Sequence, residues 1–313
     1  MKKFIFIFGV ALSATIFFMW LNDWINCGLI LSSTANTAYK THRLFIVQPY
    51  DELGVFGSSR ALLHYIPPKL SPNSFNYGAN GSAMDETLFL VKQIIRNGGN
   101  SPIIVNLDPW GWPKKQTTTY TMNYLLALDN PNVRNNLPPE MTAYSDRIPG
   151  IRTHGLLRTN LALFLNERRS TTKKIIAGAS LEINSRTSEE WEKINKSLTT
   201  QDFYFEERHQ NELTDVYNST SRPIILVLGP VSPSWRQHYK GEPKLKIFLE
   251  CQKQFPNVYV VDLFTTTKDW SEDLFVDPTH LNKSGAEKFT ERLLERLQDY
   301  PELRVFFNIT YLT

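Results

Sequence analysis

The hydropathy pattern opens on an uncharged run from Phe4 to Leu21, rich in Phe and Ile, behind Lys2 and Lys3. As a helix these 18 residues extend roughly 27 Å at about 1.5 Å per residue, close to the apolar thickness of a bilayer. A cleaved signal peptide has a shorter apolar core and then a small-x-small site, whereas here Trp20, Asn22, Asp23 and Trp24 follow directly. The pattern predicts an uncleaved signal anchor over residues 1–31, with Trp20 and Trp24 in the interfacial belt. Two amino-terminal lysines place the N-terminus in the cytoplasm by the positive-inside rule, which puts the rest outside it as a single-pass protein of the cytoplasmic membrane. Other readings fit less well: a buried core helix normally carries a polar face, and Trp24-Ile25-Asn26 before Cys27 is a poor lipoprotein cleavage box.

Residues 32–50 form a polar lead-in with one short apolar run, Leu44 to Val47. From residue 52 onward, short apolar runs alternate with amphipathic stretches: Leu53 to Phe56, Met84 to Arg96, Ile103 to Leu107, Ile224 to Leu228, Val258 to Leu263 and Asn282 to Leu297. The last carries Ala286, Phe289, Leu293, Leu294 and Leu297 on one stripe and charges on the other, the signature of a helix packed on a core. Such alternation predicts an α/β domain over residues 32–313 with a parallel sheet covered by helices. Between about 109 and 222 lies an insertion of loops and helices (156–166, 188–198, 205–218), with Ile175-Ile176-Ala177 assigned to neither helix nor strand. Ligands bind such sheets beyond the carboxyl ends of the strands, so the insertion is expected to shape the site.

Composition changes this picture little. The chain has 313 residues, 42% hydrophobic and 21% charged, an ordinary globular balance that excludes a disordered chain. With 34 basic against 31 acidic residues there is no strong field for nucleic acid, and no such partner is expected. Two cysteines, Cys27 and Cys251, make neither a zinc-finger set nor a CxxC pair. His42, His64, His154, His209 and His238 have no mutual ligand spacing, so neither metal nor cofactor is expected.

The candidate chemistry lies at two ends of the α/β region. Gly57-Ser58-Ser59-Arg60 follows the first predicted strand, and Asp277-Pro278-Thr279-His280-Leu281 precedes the last helix. Glycine at a strand end permits a tight turn, presenting Ser59 as a nucleophile. A serine hydroxyl needs a base to take its proton; His280 fits that role, and Asp277, three residues earlier, fits that of orienting the imidazole. Two roles are open to Arg60, an ion pair with Asp108 or a bidentate grip on a substrate carboxylate. Trp110 and Trp112, with Asp108 at the end of the third strand, either stack on sugar rings or pack beneath the insertion. Asn76 either acts at the site or stabilises the turn before Gly78.

These blocks, with Asn76-Tyr77-Gly78-Ala79-Asn80-Gly81 between them, resemble the SGNH/GDSL hydrolase superfamily over residues 52–108 and 223–297. That family has Gly-Asp-Ser first, Asn-x-Gly-x-x-Gly second and Asp-x-x-His last. The resemblance implies a flavodoxin-like three-layer α/β/α fold and a serine acyl-enzyme, with the Ser59 and Gly81 N–H groups as oxyanion-hole donors. Two departures stand out. Ser58 replaces the first-block aspartate, and Asn106-Leu107-Asp108-Pro109-Trp110 has no asparagine where the family's third block supplies a donor. With the anchor, they look more like the envelope branch, which includes the teichoic acid D-alanylation protein and exopolysaccharide acetylation proteins. That branch implies an O-acyl esterase or acyltransferase acting on a cell-envelope glycan beside a membrane-bound O-acyltransferase. A degenerate scaffold that binds a glycan or that acyltransferase, and a soluble secreted esterase, are the competing expectations.

Overall fold

The computed structural model describes residues 2–111, 124–127, 130–136, 161, 164–165, 169–170, 173–182, 187–197, 199–200, 202–265 and 269–308. Trp112, His154 and most of the helix expected over 156–166 lie outside the described residues. The chain divides into two compact units, one of residues 1–47 with 118–170 and one of 48–117 with 171–313.

In the first unit, α1 (Lys2–Leu31) is a single helix, about 45 Å long at ~1.5 Å per residue. It is long and apolar enough to cross a membrane, and Phe4 to Trp24 present large apolar side chains outward. The helix α2 (Thr37–His42) is capped by Asn36, whose side-chain oxygen accepts from the Ala38 N–H at 2.9 Å. The apolar run at Leu44 to Val47 is part of a widened helical turn over Arg43–Val47. Its buried Phe45 meets the Tyr124 ring edge-on and accepts a hydrogen bond from Asn130 at 2.8 Å. A single turn of 3-10 helix over Leu125–Ala127 and a short helix, α6 (Pro131–Asn136), also belong to this unit.

The second unit is built on five parallel strands, β1 (Leu53–Phe56), β2 (Ser74–Asn76), β3 (Ile103–Leu107), β6 (Ile224–Leu228) and β7 (Val258–Asp262), in the order β2-β1-β3-β6-β7. Register runs Gly54 to Ile103, Ile103 to Ile224 and Ile224 to Val258. The central strands are almost uninterrupted apolar runs because both faces are covered. Beneath one face lie α3 (Ser59–His64), α4 (Pro67–Leu70) and α11 (Lys283–Leu297); beneath the other lie α5 (Met84–Asn97), α8 (Glu207–Asn218) and α10 (Glu242–Gln252), and the short α9 (Pro233–Gln237) follows β6 in the chain. Leu53, Val55, Ile104, Ile225 and Val227 pack with Phe289, Leu293, Leu294 and Leu297 of α11 in one buried cluster, the stripe that the sequence predicts. This is the expected three-layer parallel fold. Asn282 caps α11 through a 2.9 Å bond from the Gly285 N–H.

Two small strand pairs lie outside the main sheet, in segments that the sequence left unassigned. The 175–177 run belongs to an antiparallel hairpin, β4 (Lys173–Ile176) and β5 (Ala179–Glu182), turning at Ala177-Gly178 with both φ values positive. The hairpin stands apart from the main sheet, touches α3, and accepts the Asn76 N–H at the Ala177 carbonyl, 2.9 Å away. The last block forms a second miniature pair, β8 (Phe275–Asp277) and β9 (His280–Leu281). In the insertion, helices α7 (Ser188–Ser197) and α8 stand where amphipathic spacing put them.

Candidate active site

The strand order reverses between β1 and β3, and in open α/β sheets the crevice outside the strand ends at that reversal is where ligands bind. Ser59 lies there as the first residue of α3, directly after β1. Gly57 makes the turn possible: its φ is 142°, and a Cβ would stand 3.0 Å from Asn106 Cβ and 3.1 Å from Ala61 Cβ. Ser58 caps α3 and takes the Arg60 and Leu62 N–H groups on its side-chain and backbone oxygens. The Ser59 N–H, at the first helical position, has no intrahelical partner.

Residues 221 positions apart meet at this turn: Ser59 Oγ lies 2.7 Å from His280 Nε2. His280 Nδ1 lies 2.8 Å from Asp277 Oδ2. The other Asp277 oxygen accepts from the His280 and Thr279 backbone N–H groups at 3.0 and 2.9 Å and from Thr279 Oγ1 at 3.1 Å. Burial by itself raises the Asp277 carboxyl, but the His280 hydrogen bond and charge, with the Thr279 bonds, outweigh it and leave it below the usual aspartate range. A carboxylate held ionised against Nδ1 fixes the tautomer in which Nε2 is free to accept the Ser59 proton. The linear order Ser–His–Asp is thus a chemically competent relay for proton removal from a hydroxyl.

The middle block approaches from β2. Asn76 is fully enclosed, donating to the Ala61 carbonyl at 2.7 Å and accepting from the Gly78 N–H at 2.8 Å. It stabilises the turn, the second of its two expected roles. Gly78 lets that turn lie against α3, since a Cβ there would come within 2.6 Å of Ala61 Cβ and the Leu62 nitrogen. Gly81 is exposed, with φ 69° and open space around the position of a Cβ.

Arg60 points away from solvent. Its side chain is completely buried, 3.6 Å from Asp108, and donates to the Leu107 carbonyl at 3.4 Å and the Pro230 carbonyl at 2.6 Å. That leaves no exposed surface for a substrate carboxylate; of the two roles the sequence offered, the ion pair is the one formed. Asp108 also accepts from Ser58 Oγ at 3.1 Å and Asn106 Nδ2 at 3.3 Å. Burial holds its carboxyl above the usual range, opposed first by the Arg60 charge and then by the Ser58 bond. Trp110 is partly exposed, its ring 5.5 Å from the Arg60 guanidinium and edge-on to Trp235 at 5.7 Å. A bond from the Tyr204 N–H to its carbonyl at 3.1 Å ties it to the insertion. Of Arg60, Asn76, Asp108 and Trp110, only Trp110 has appreciable exposed surface.

Sequence reasoning did not find His64 at the site. Its imidazole is buried behind His280, with ring centroids 6.4 Å apart and planes at 78°. The partner atoms lie more than two hundred residues away, so no local spacing announces them. Among the described residues there is no group of three His, Cys, Asp or Glu side chains placed to hold a metal ion.

No family model and no curated protein sequence matches the chain. Among solved structures, a Streptococcus pneumonia protein provisionally described as a platelet activating factor aligns over 93% of this chain and 98% of its own, at 14% identity and a TM-score of 0.38. A likeness of that degree identifies neither a family nor an activity.

Proposed function

We propose that the protein is a membrane-anchored serine esterase or O-acyltransferase of SGNH type, acting on an acylated cell-envelope glycan through a Ser59 acyl-enzyme. The observation that carries this reading is the relay from Ser59 Oγ to His280 Nε2 at 2.7 Å and from His280 Nδ1 to Asp277 at 2.8 Å, set at the reversal of the sheet. Ser59 Oγ attacks the acyl carbonyl carbon while its proton passes to His280 Nε2. The tetrahedral oxyanion is held by the Ser59 N–H and, as the resemblance implies, the Gly81 N–H. Collapse breaks the bond to the departing oxygen, which takes the proton from His280 and leaves acyl-Ser59. A sugar hydroxyl or water then gives its proton to His280 and attacks the acyl carbon, restoring Ser59. Transfer to sugar prevails where the site excludes water, and Trp110 offers an apolar face on which a sugar ring can stack.

The anchor reading rests on α1 and on Lys2 and Lys3 ahead of it. With the N-terminus inside, the domain stands on the side of the cytoplasmic membrane where envelope polymers lie. A membrane-bound O-acyltransferase is the partner that would supply the acyl group.

The test is labelling of the full-length protein in detergent with a fluorophosphonate, which reports an activated serine without a substrate guess. Labelling of wild type, lost in both Ser59→Ala and His280→Ala, supports the reading. Absence of labelling in wild type, beside an active serine hydrolase labelled in parallel, overturns it in favour of a non-catalytic glycan- or acyltransferase-binding scaffold.

A further inference from the structure

We propose that His64 is a positioning residue for Ser59 and His280, a buried imidazole acceptor that ties the strand carrying the base to the helix carrying the nucleophile. The inference rests on the reading of Ser59 and His280 as nucleophile and base. Helix α3 begins at Ser59 and ends at His64, and strand β9 consists of His280 and Leu281. Two hydrogen bonds therefore join the same pair of elements. One is the contact of Ser59 Oγ with His280 Nε2; the other is donated by the Leu281 N–H to His64 Nε2 at 3.2 Å. The Leu281 amide belongs to the peptide plane that begins at the His280 Cα, so fixing that amide fixes one side of the base's backbone.

Among the described residues β9 pairs with β8 and takes no part in the five-stranded sheet. Phe275 and Leu281 bury the pair in the core beside Phe289 and Leu293, and apolar packing is not directional, so a hydrogen bond to the Leu281 amide sets the orientation that packing leaves open. The backbone on either side of β9 is tied elsewhere: the Asn282 N–H bonds the Leu274 carbonyl at 2.9 Å, and the Ser232 N–H bonds the Pro278 carbonyl at 2.9 Å. The His64 bond is the backbone tie that runs to the nucleophile's own helix.

The ring is held for this purpose on several sides. Phe289 of α11 meets it at 5.7 Å and 68°, and a Cβ at Gly229 would stand 3.4 Å from His64 Nδ1 and 3.2 Å from Arg60. Because Nε2 accepts, it carries no proton, and the neutral ring bears its hydrogen on Nδ1. Burial, then the charges of Arg60 and His280, holds the imidazole well below its usual range, a backbone contact with Thr279 offsetting part of this. A neutral ring keeps a second cation away from His280 when that residue takes up the serine proton.

The experiment compares full-length wild type with His64→Gln, which restores an acceptor oxygen near the Nε2 position, and His64→Leu, which fills volume without one. The readouts are the fluorophosphonate labelling rate and the downfield proton resonance of the His280–Asp277 hydrogen bond. His64→Leu is expected to label about 10-fold to 100-fold more slowly and to shift or broaden that resonance, while His64→Gln stays within about threefold of wild type. A folded His64→Leu protein that labels at the wild-type rate overturns the proposal, as do equal losses in both folded variants. A measurement independent of variants is the ¹⁵N spectrum of His64 in wild type, where the Nδ1–H neutral tautomer is expected. An Nε2–H tautomer or an imidazolium at neutral pH overturns the proposal by itself. Wild type that neither labels nor shows the downfield proton removes the triad reading, and this inference with it; labelling wild type with an indifferent His64→Leu removes only this one.

Discussion

Two aspartates flank the Ser59 turn, and their surroundings drive them in opposite directions. Asp277 is partly exposed, and its oxygens accept from the His280 ring and backbone and from Thr279, which keeps it ionised against the imidazole. Asp108 is buried against Arg60, Ser58 and Asn106, and burial raises its carboxyl. One is thus suited to charge support during proton transfer, the other to joining the ends of β1 and β3 beneath the site. Residue type and closeness to the nucleophile do not separate these roles. The count of donors around each carboxylate and its access to water do.

The largest expected effect separates them by reactivity. Asp277→Asn should slow fluorophosphonate labelling by at least about 100-fold, because the amide favours the wrong imidazole tautomer. Asp108→Asn should stay within about 10-fold of wild type. The reverse order would exchange the two roles.

Stability should sort the other way. Removing the cation in Arg60→Met leaves Asp108 buried without its partner, and urea unfolding followed by tryptophan fluorescence should show a loss of about 3–5 kcal/mol. Asp277→Asn keeps hydrogen-bonding atoms in a partly hydrated place and should lose about 1–2 kcal/mol. Combining Arg60→Met with Asp108→Leu should regain about half of the Arg60→Met loss, since an apolar pair leaves no buried charge. A double variant as weak as the single one would mean that the bonds to Leu107, Pro230 and Ser58 matter more than the ion pair.

The smallest effect is the pH dependence. The folded Asp277 value is depressed, so its stabilisation is present above the unfolded value of about 4 and is lost as pH falls through the lower folded value. The folded Asp108 value is raised, so its contribution favours the fold below about 4 and is lost as pH rises toward the folded value. Asp277→Asn should therefore flatten the acid limb of a stability profile, and Asp108→Asn the limb just above it. His64 contributes separately: burial depresses its folded value, so stability falls as pH drops below the unfolded imidazole value of about 6.5. His64→Gln should remove that fall.

Four strands of the main sheet were legible because each is largely a short apolar run, whereas the edge strand β2 is Ser74-Phe75-Asn76 and carries one apolar residue. Leu53–Phe56, Ile103–Leu107 and Ile224–Leu228 stand with the boundaries that the pattern predicts. The β4–β5 hairpin was not, since Lys173-Lys174-Ile175-Ile176 groups its polar and apolar residues in blocks and the alternating Ala179-Ser180-Leu181-Glu182 is too short to separate strand from helix. Ser59, Asp277 and His280 were legible as candidates through their chain order and their places at element ends. Arg60 left two roles open in sequence, because a guanidinium that pairs inward and one that faces substrate have the same neighbours along the chain.

The sequence by itself determined the central strands, the amphipathic helices, the apolar N-terminal helix and the candidates for proton transfer, since hydropathy period and side-chain chemistry are local properties. Tertiary structure decided which strand ends meet, which aspartate faces His280, that Arg60 and Asn76 are enclosed, and that His64 stands behind the base. Those outcomes depend on contacts between residues tens to hundreds of positions apart. Burial and hydrogen-bond geometry at such contacts are set only when the sheet closes and the helices pack upon it.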